Sequence, residues 1–312
     1  MVLGFDIGGT KCAVVRADES KDGLSITAKE KIATDLAVSP YEMIDRLIIL
    51  ADKICGDQKP CSIGISCGGP LNSKEGIIIS PPNLKGWINV PIVNIIKEHF
   101  GVPVYLQNDA NACALAEWKF GAGKGCKNMV FLTFGTGLGA GLILDGKLYS
   151  GTNDNAGEVG HIRLEDDGPE GYGKFGSFEG FCSGGGIAKL GKMLAEKAIL
   201  SGIIPSYANG EITAKSIAEA AENGDKTAIE VYKICGRELG KGLSIIIDML
   251  NPERIVIGSI FARSKDLFFE YTKEVIEKEA LAVSFGVCEI LPAKLGESIG
   301  DYAAIGVALS EE

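Results

Sequence analysis

The chain of 312 residues has only two histidines and two tryptophans, no CxxC pair among its cysteines, and no uncharged apolar run of the length a membrane span requires. Basic residues are also short: 31 Lys and Arg stand against 41 Asp and Glu, for a net charge of -10 at pH 7 and a pI near 5.0. A nucleic-acid surface needs a clustered basic face, so no nucleic-acid partner is expected. Small anionic ligands stay open, because turns and helix ends bind them without net positive charge. The cysteines at 12, 55, 61, 67, 113, 126, 182, 235 and 288 mostly sit inside apolar runs. They read as the reduced, buried thiols of a cytoplasmic protein. Asp6 interrupts the apolar start almost at once, so no signal peptide is expected before the first strand. With 46% hydrophobic and 23% charged residues the chain is an ordinary globular one, and its length suggests about two domains of ~150 residues each.

What is present is organised around residues 104–112. The run Val102 to Leu106 reads as a strand, Asn108 and Asp109 can both cap a helix, and Ala110 to Phe120 are good helix formers. Asp109 therefore belongs at the mouth of a strand-to-helix turn, where the positive end of the helix dipole is expected to keep it ionised near neutral pH. A carboxylate so placed is either a plain cap or the base that takes a proton from an attacking hydroxyl.

Two glycine turns flank this centre. Residues 2 to 7 and 11 to 17 read as strands joined by Gly8-Gly9-Thr10, a hairpin that brings the Asp6 carboxylate, the Thr10 hydroxyl and free backbone N–H groups together. Those are the parts needed to hold a phosphate and its Mg2+, although a simple hairpin accounts for them equally. Met129 to Phe134 and Gly141 to Leu144 predict a second hairpin around Gly135-Thr136-Gly137-Leu138-Gly139. The dinucleotide fingerprint needs GxGxxG followed by a helix; here the spacing is GxGxG and a strand follows. The two hairpins match in pattern, which suggests a duplicated unit able to clamp phosphates from both sides.

Other segments carry polar groups in restrained settings. Pro81-Pro82 stiffens the approach to Asn83, with Trp87 nearby, as a sugar-binding corner would require. Glu158 and His161 lie three apart in the glycine-rich segment Ala156-Gly157-Glu158-Val159-Gly160-His161. Asp166 to Gly186 reads as a long loop containing Glu179, Cys182 and Ser183. Helices are expected over Ser39 to Cys55, from Ser183 to Lys197, from Thr213, and over Lys226 to Leu250 with a stripe from Ile229 to Leu250. Arg254 to Ser259 predicts a strand into a turn where Gly258-Ser259 could lie against an adenine ring. A helix over Lys265 to Lys278, a strand over Val287 to Leu291, and a close-packing helix near Ile299 to Leu309 complete the reading.

Taken together, Phe5-Asp6-Ile7-Gly8-Gly9-Thr10-Lys11, Pro82-Asn83-Leu84 with Gly86-Trp87, Gln107-Asn108-Asp109-Ala110-Asn111-Ala112, Thr133-Phe134-Gly135-Thr136-Gly137 and Ala156 to His161 resemble the ROK family of sugar kinases. The order and spacing cover nearly the whole chain. The resemblance implies an α/β, two-domain actin-like ATPase (ribonuclease H-like) fold with an interdomain active-site cleft. Its small domain would be residues 1–112 completed by a C-terminal helix, 298–312, and its large domain 113–297. It implies an ATP-dependent kinase of a hexose, glucose at the 6-hydroxyl, with Asp109 as general base. Asn83, Asn108, Glu158, His161 and Glu179 would bind the sugar. Asp6, Gly8, Gly9, Thr10, Lys11, Gly135, Thr136, Gly137 and Gly258 would hold ATP, with Asp6 orienting hydrated Mg2+. A homodimer is expected by the same resemblance.

One departure stands out. Many relatives bind a structural zinc through the histidine of the GExGH segment and three cysteines in a CxCGxxGC pattern; here those positions hold Glu170, Tyr172 and Ser177. No structural zinc is therefore expected. The nearest rival substrate is an N-acetylhexosamine, N-acetylmannosamine or N-acetylglucosamine, because the glycine-bounded segment at 67 to 70 could accommodate an acyl group. A rival of another class is a non-catalytic sugar-responsive regulator. Repressors of the family carry a DNA-binding module before the first hairpin, which begins here at residue 2.

Overall fold

The computed structural model describes residues 1–20 and 23–310. Val2–Ile7 (β1) and Lys11–Ser20 (β2) form the first expected hairpin, with Ile7 opposite Cys12. Gly23–Ala33 (β3) extends it antiparallel; none of its residues is fully buried, so it lacks the apolar alternation that marks a strand in sequence. Pro40–Cys55 (α1) starts at Ser39, whose side chain accepts the Glu42 N–H, and buries the expected face of Met43, Ile44, Leu47, Ile48 and Ala51. Ile63–Cys67 (β4) is buried throughout and runs parallel to β1. A ribbon of two short strands, Leu71–Asn72 (β5) and Ile77–Ile78 (β6), precedes Ile92–Phe100 (α2). Val104–Asn108 (β7) then lies parallel to β4, giving the sheet order β3-β2-β1-β4-β7.

Asp109–Phe120 (α3) leads out of β7 into a second unit. Met129–Leu132 (β8), Ala140–Leu144 (β9) and Lys147–Leu148 (β10) run antiparallel. The segment expected as a loop over Asp166 to Gly186 is ordered instead. Glu170–Gly171 (β11) pairs with Lys174–Phe175 (β12), and one helical turn, Phe178–Phe181 (α4), follows, capped by Ser177. Elements so short carry no periodicity to read. Gly184–Leu200 (α5) and Ala214–Glu222 (α6) start at the expected caps Ser183 and Thr213, and Lys226–Leu250 (α7) is capped by Asp225. The stripe on α7 is corrected at one place: Ile229 is exposed, and Ala228 and Val231 are buried in its stead. Arg254–Ile257 (β13), Ile260–Glu279 (α8), Ala282–Phe285 (α9), Glu289–Pro292 (β14) and Ile299–Ala308 (α10) complete the unit. The second sheet has the order β10-β9-β8-β13-β14, with β13 parallel to both β8 and β14. Strand for strand this repeats the order and direction of the first sheet, as the matched hairpins predict.

The two units exchange helices. α3, which follows the first sheet, packs on the second, where a Cβ at Gly141 of β9 would lie 2.5 Å from the Cβ of Ala114. α10, which follows the second sheet, packs on the first, where a Cβ at Gly64 of β4 would lie 2.1 Å from the Ala304 carbonyl oxygen. The helices meet at Gly306, whose Cβ would fall 3.1 Å from the Ala116 nitrogen. Glycine is required at Gly64 and Gly141 because no side chain fits there, and Gly306 keeps the helix contact tight. The expected boundary at 112/113 falls inside α3, and the expected helix over 298–312 spans Ile299–Ala308, residues 311 and 312 lying outside the described residues. On α3, Glu117 is fully buried; its carboxylate accepts backbone N–H groups from Ala122 at 2.7 Å, Leu295 at 2.8 Å and Lys294 at 3.2 Å. That fixes the end of β14 to the helix between the sheets.

Candidate functional site

A cavity of about 830 Å3 opens between the units at the ends of β7 and β8. Asn83, Asn108, Asp109, Glu158, His161 and Glu179 all line it, together with Gly135, Thr136 and Gly137. Six polar side chains separated by up to 96 positions thus converge on one volume.

Asn108 is the N-cap of α3, its side-chain oxygen accepting the Asn111 N–H at 2.8 Å, so Asp109 is the first residue of the helix and not its cap. Freed from capping, the Asp109 carboxylate still accepts the Ala110 N–H at 2.8 Å and opens on the cavity. Its pKa is raised above the ordinary carboxylate value. Desolvation by the cleft walls raises it, and the backbone donors of Ala110 and Asp109 lower it by less. The backbone donors at the helix start thus act in the expected direction, favouring the ionised form, and burial opposes them by more. A raised value improves a carboxylate as a proton acceptor, provided it is still ionised at working pH.

Glu158 begins the short 3-10 turn Val159–His161. Its glycine neighbours are dictated by contact. A Cβ at Gly157 would lie 2.1 Å from the Ala140 carbonyl oxygen, and one at Gly160 would lie 2.1 Å from that of Leu138. The turn is therefore pressed onto β9 and the second glycine hairpin. Burial raises the Glu158 carboxyl, with further contributions from the negative charges of Asp109 and Glu179. Lys174 donates to the His161 carbonyl at 2.7 Å, joining the turn to β12. Ser177 accepts the Gly180 N–H at 3.1 Å and donates to the Gly171 carbonyl at 3.3 Å. Hydrogen bonds from one hydroxyl hold β11 to α4.

The second glycine hairpin is braced from below. Gly184 at the start of α5 donates to the Gly135 carbonyl at 2.7 Å. Among the described residues the Thr136 and Gly137 N–H groups have no protein acceptor. Gly135 and Thr136 also line a second cavity, of about 660 Å3, whose other wall includes Thr213, Lys215, Ser259 and Arg263. The hairpin is thus a partition with a cavity on each side.

The first hairpin stands beside the larger cavity. Gly9 touches its wall, since a Cβ there would lie 2.4 Å from the Asn83 carbonyl oxygen, and the Gly9 and Thr10 N–H groups have no acceptor among the described residues. Thr10 and Lys11 are exposed. Asp6 is pushed up to about 6, by burial first and then by Asp301, with Lys11 and Lys29 lowering it and Asp109 raising it again. Gly258 lines neither cavity. It is buried, with its missing side chain directed at Phe131, 3.3 Å from where a Cβ would be; Ser259 beside it does line the second cavity.

Asp154 was not singled out by sequence. It is 8% exposed, lines the larger cavity, and accepts the Ser73 N–H at 2.8 Å and hydroxyl at 2.7 Å. Its φ of 62° is one that Asp and Asn tolerate, and the Asn153-Asp154-Asn155 run was the available signal. Lys215 and Arg263 in the second cavity were missed too, being ordinary surface positions of helices in sequence.

Two like sheets around a cleft, with one glycine hairpin lining it and the other standing beside it, define an actin-like ATPase fold. The chain belongs to the ROK family, which it matches over residues 2–310. It is 30% identical over 314 aligned positions to a glucokinase of Streptomyces coelicolor, covering 99% of this chain and 97% of that one. Among solved structures it resembles a ROK family glucokinase from Streptomyces griseus in complex with glucose and AMPPNP, at 29% identity and a TM-score of 0.73 over 98% of this chain and 97% of that one. It also resembles a ROK family transcriptional regulator, a homologue of an Escherichia coli Mlc protein, at 26% identity and a TM-score of 0.83 over 99% of this chain and 78% of that one. No helix among the described residues is long and apolar enough to cross a membrane.

Proposed function

We propose that the protein is an ATP-dependent hexose kinase that phosphorylates glucose at the 6-hydroxyl, with Asp109 as general base. The observation that carries this reading is the partition: Gly135 and Thr136 line both the cavity with the six polar side chains and the second cavity. A sugar on one side and a nucleotide on the other would meet across two unpaired N–H groups. Asn83, Asn108, Glu158, His161 and Glu179 would fix the sugar hydroxyls. Asp109 would then take the proton of the attacking hydroxyl as its oxygen bonds to the terminal phosphorus and the bond to the leaving ADP oxygen breaks. The free N–H groups of Gly9, Thr10, Thr136 and Gly137 suit phosphate oxygens.

Asp6 fits hydrated Mg2+, which needs only one or two carboxylates: its pKa is raised first by burial and then by the negative charge of Asp301, and a cation would offset both. Bound there, Mg2+ supplies charge neutralisation to the phosphates. Positioning by the protein provides the rest of the catalysis. Residues 1–112 with 298–312 would close against 113–297, and the Asp154 contact to Ser73 gives a point where the two sides already touch.

A specific observation supports an N-acetylhexosamine as the second candidate substrate. Gly69, Pro70 and Leu71 line the sugar cavity, and a Cβ at Gly68 or Gly69 would meet nothing within 4 Å. The likeness to a transcriptional regulator favours a third reading, a non-catalytic sugar sensor. The deciding experiment measures ADP release from ATP and Mg2+ over hexoses and N-acetylhexosamines, beside Asp109→Asn. One sugar should stimulate turnover, and the variant should lose about 10²–10⁴-fold in kcat while still binding that sugar. Sugar binding without turnover in the wild type would move the assignment to the sensor.

A further inference from the structure

Between β11 and β12 the chain reverses in two residues, Tyr172 and Gly173, with φ of 45° and 77°. Positive φ at both central positions is the mark of the tight hairpin turn that strongly prefers Asn-Gly, because a side chain with a bulky Cβ substituent is strained there. Gly173 satisfies the second position. Tyr172 is the wrong residue for the first.

Nothing in the turn explains the tyrosine. Its side chain is 83% exposed, packs in no core cluster, and among the described residues its hydroxyl has no hydrogen-bond partner. It does line the sugar cavity, at the same mouth as His161 and Glu179. The hairpin that carries it is anchored on both sides: Lys174 donates to the His161 carbonyl at 2.7 Å, and Lys189 donates to that of Glu170 at 2.8 Å. A strained, exposed aromatic on an anchored support at a polar cavity's mouth has the form of a ligand-contacting group.

We infer that Tyr172 lays its ring on the C–H face of the bound pyranose and sets affinity for it. This rests on the sugar reading of the cavity. On that reading the polar side chains take the hydroxyls at the edge of the sugar ring, and its apolar C–H face calls for an apolar partner. An aromatic ring matches that face, and tyrosine keeps its hydroxyl in water while doing so. The strain in the turn is the local cost of placing the ring where asparagine would otherwise stand.

The turn itself supplies the test, because Tyr172→Asn installs the residue the backbone prefers. Glucose, N-acetylglucosamine and N-acetylmannosamine are titrated calorimetrically into the full wild-type chain without nucleotide, and into Tyr172→Asn and Tyr172→Phe. The inference expects Tyr172→Asn to bind the wild type's sugar about tenfold more weakly, the scale of one lost aromatic contact, with an unchanged or higher Tm. Tyr172→Phe, which keeps the ring face, should bind within about twofold of wild type, a range too small for a lost contact. Equal affinity in Tyr172→Asn and wild type overturns the inference and leaves the kinase reading standing. Equal losses in the Asn and Phe variants overturn it as well, since the face would then not be what binds. A wild type that binds none of the three sugars overturns the sugar reading and this inference with it.

Discussion

The carboxylate of Glu179 accepts the backbone N–H of Leu138 at 2.9 Å, and a side chain at Gly137 would begin 2.7 Å from the same oxygen. One acidic residue on a single helical turn therefore holds the glycine partition between the two cavities. Its role reaches beyond the cavity that it lines.

Glu179→Ala should accordingly raise KM for both sugar and ATP, each by about tenfold, because the Leu138 N–H loses its charged acceptor and the hairpin relaxes. Glu179→Gln keeps an acceptor oxygen, so KM for ATP should stay near wild type while KM for sugar rises. Steady-state kinetics with each substrate varied in turn decides it. A Glu179→Ala enzyme with an unaltered KM for ATP would show that the contact does not position the partition.

Asp6 should set stability and activity against each other. A carboxyl held near 6 in the folded chain, above its ordinary 3.8, favours the protonated form. The stability it contributes is complete below pH 3.8 and is lost as pH rises through about 6. Asp6→Asn is neutral at every pH, so its Tm should exceed that of the ligand-free wild type at pH 8, and the gain should shrink between pH 6 and pH 4. The same variant should lose most sugar-dependent turnover. Thermal unfolding across this range tests the first half; a gain that grows on acidification would refute it.

Gly160→Ala should displace the Glu158 turn. The new Cβ would meet the Leu138 carbonyl oxygen at 2.1 Å, a backbone atom with no free rotation. Overpacking of this kind costs about 1–3 kcal/mol, and the forced shift should weaken sugar binding by about tenfold or more. Calorimetric titration of sugar beside a denaturation curve reports both numbers, and normal affinity in the variant would mean that the turn can move without consequence.

Glu117→Ala should lower stability by about 3 kcal/mol or more, since three backbone N–H groups lose one buried, charged acceptor. Glu117→Gln retains an oxygen and should lose less. Urea denaturation separates the two, and equal midpoints would deny the carboxylate its structural role.

Much of this architecture is written in local chemistry. Gly8-Gly9-Thr10 and Gly135-Thr136-Gly137 announce turns because glycines between β-rich runs are a hairpin signal, and their likeness anticipates two sheets with one strand order. Ser39, Ser183 and Thr213 announce helix starts through their side-chain oxygens. In the larger cavity Asn83, Glu158, His161 and Glu179 sit in segments that glycines or prolines restrict, and Asn108 and Asp109 stand out as a capping pair between strand and helix. Where position depends on a distant partner, sequence falls silent. Asp154 acts through Ser73, 81 residues away. Gly258 looks available to a ligand until Phe131 is seen against it. The order of Asp166 to Gly186 rests on Ser177, Lys174 and Lys189, whose partners no periodicity reveals.

The exchange of α3 and α10 between the sheets has a consequence for biosynthesis. β1 leaves the ribosome almost 300 residues before the helix that covers it, residues 299–308. Until that helix arrives, Gly4 and Gly64 present a flat, uncovered sheet face, and the first unit cannot finish folding while the second is being made. Vectorial, unit-by-unit maturation is therefore closed to this chain. The nascent protein must wait, with an open apolar surface of the kind that chaperones recognise, for its two halves to complete each other.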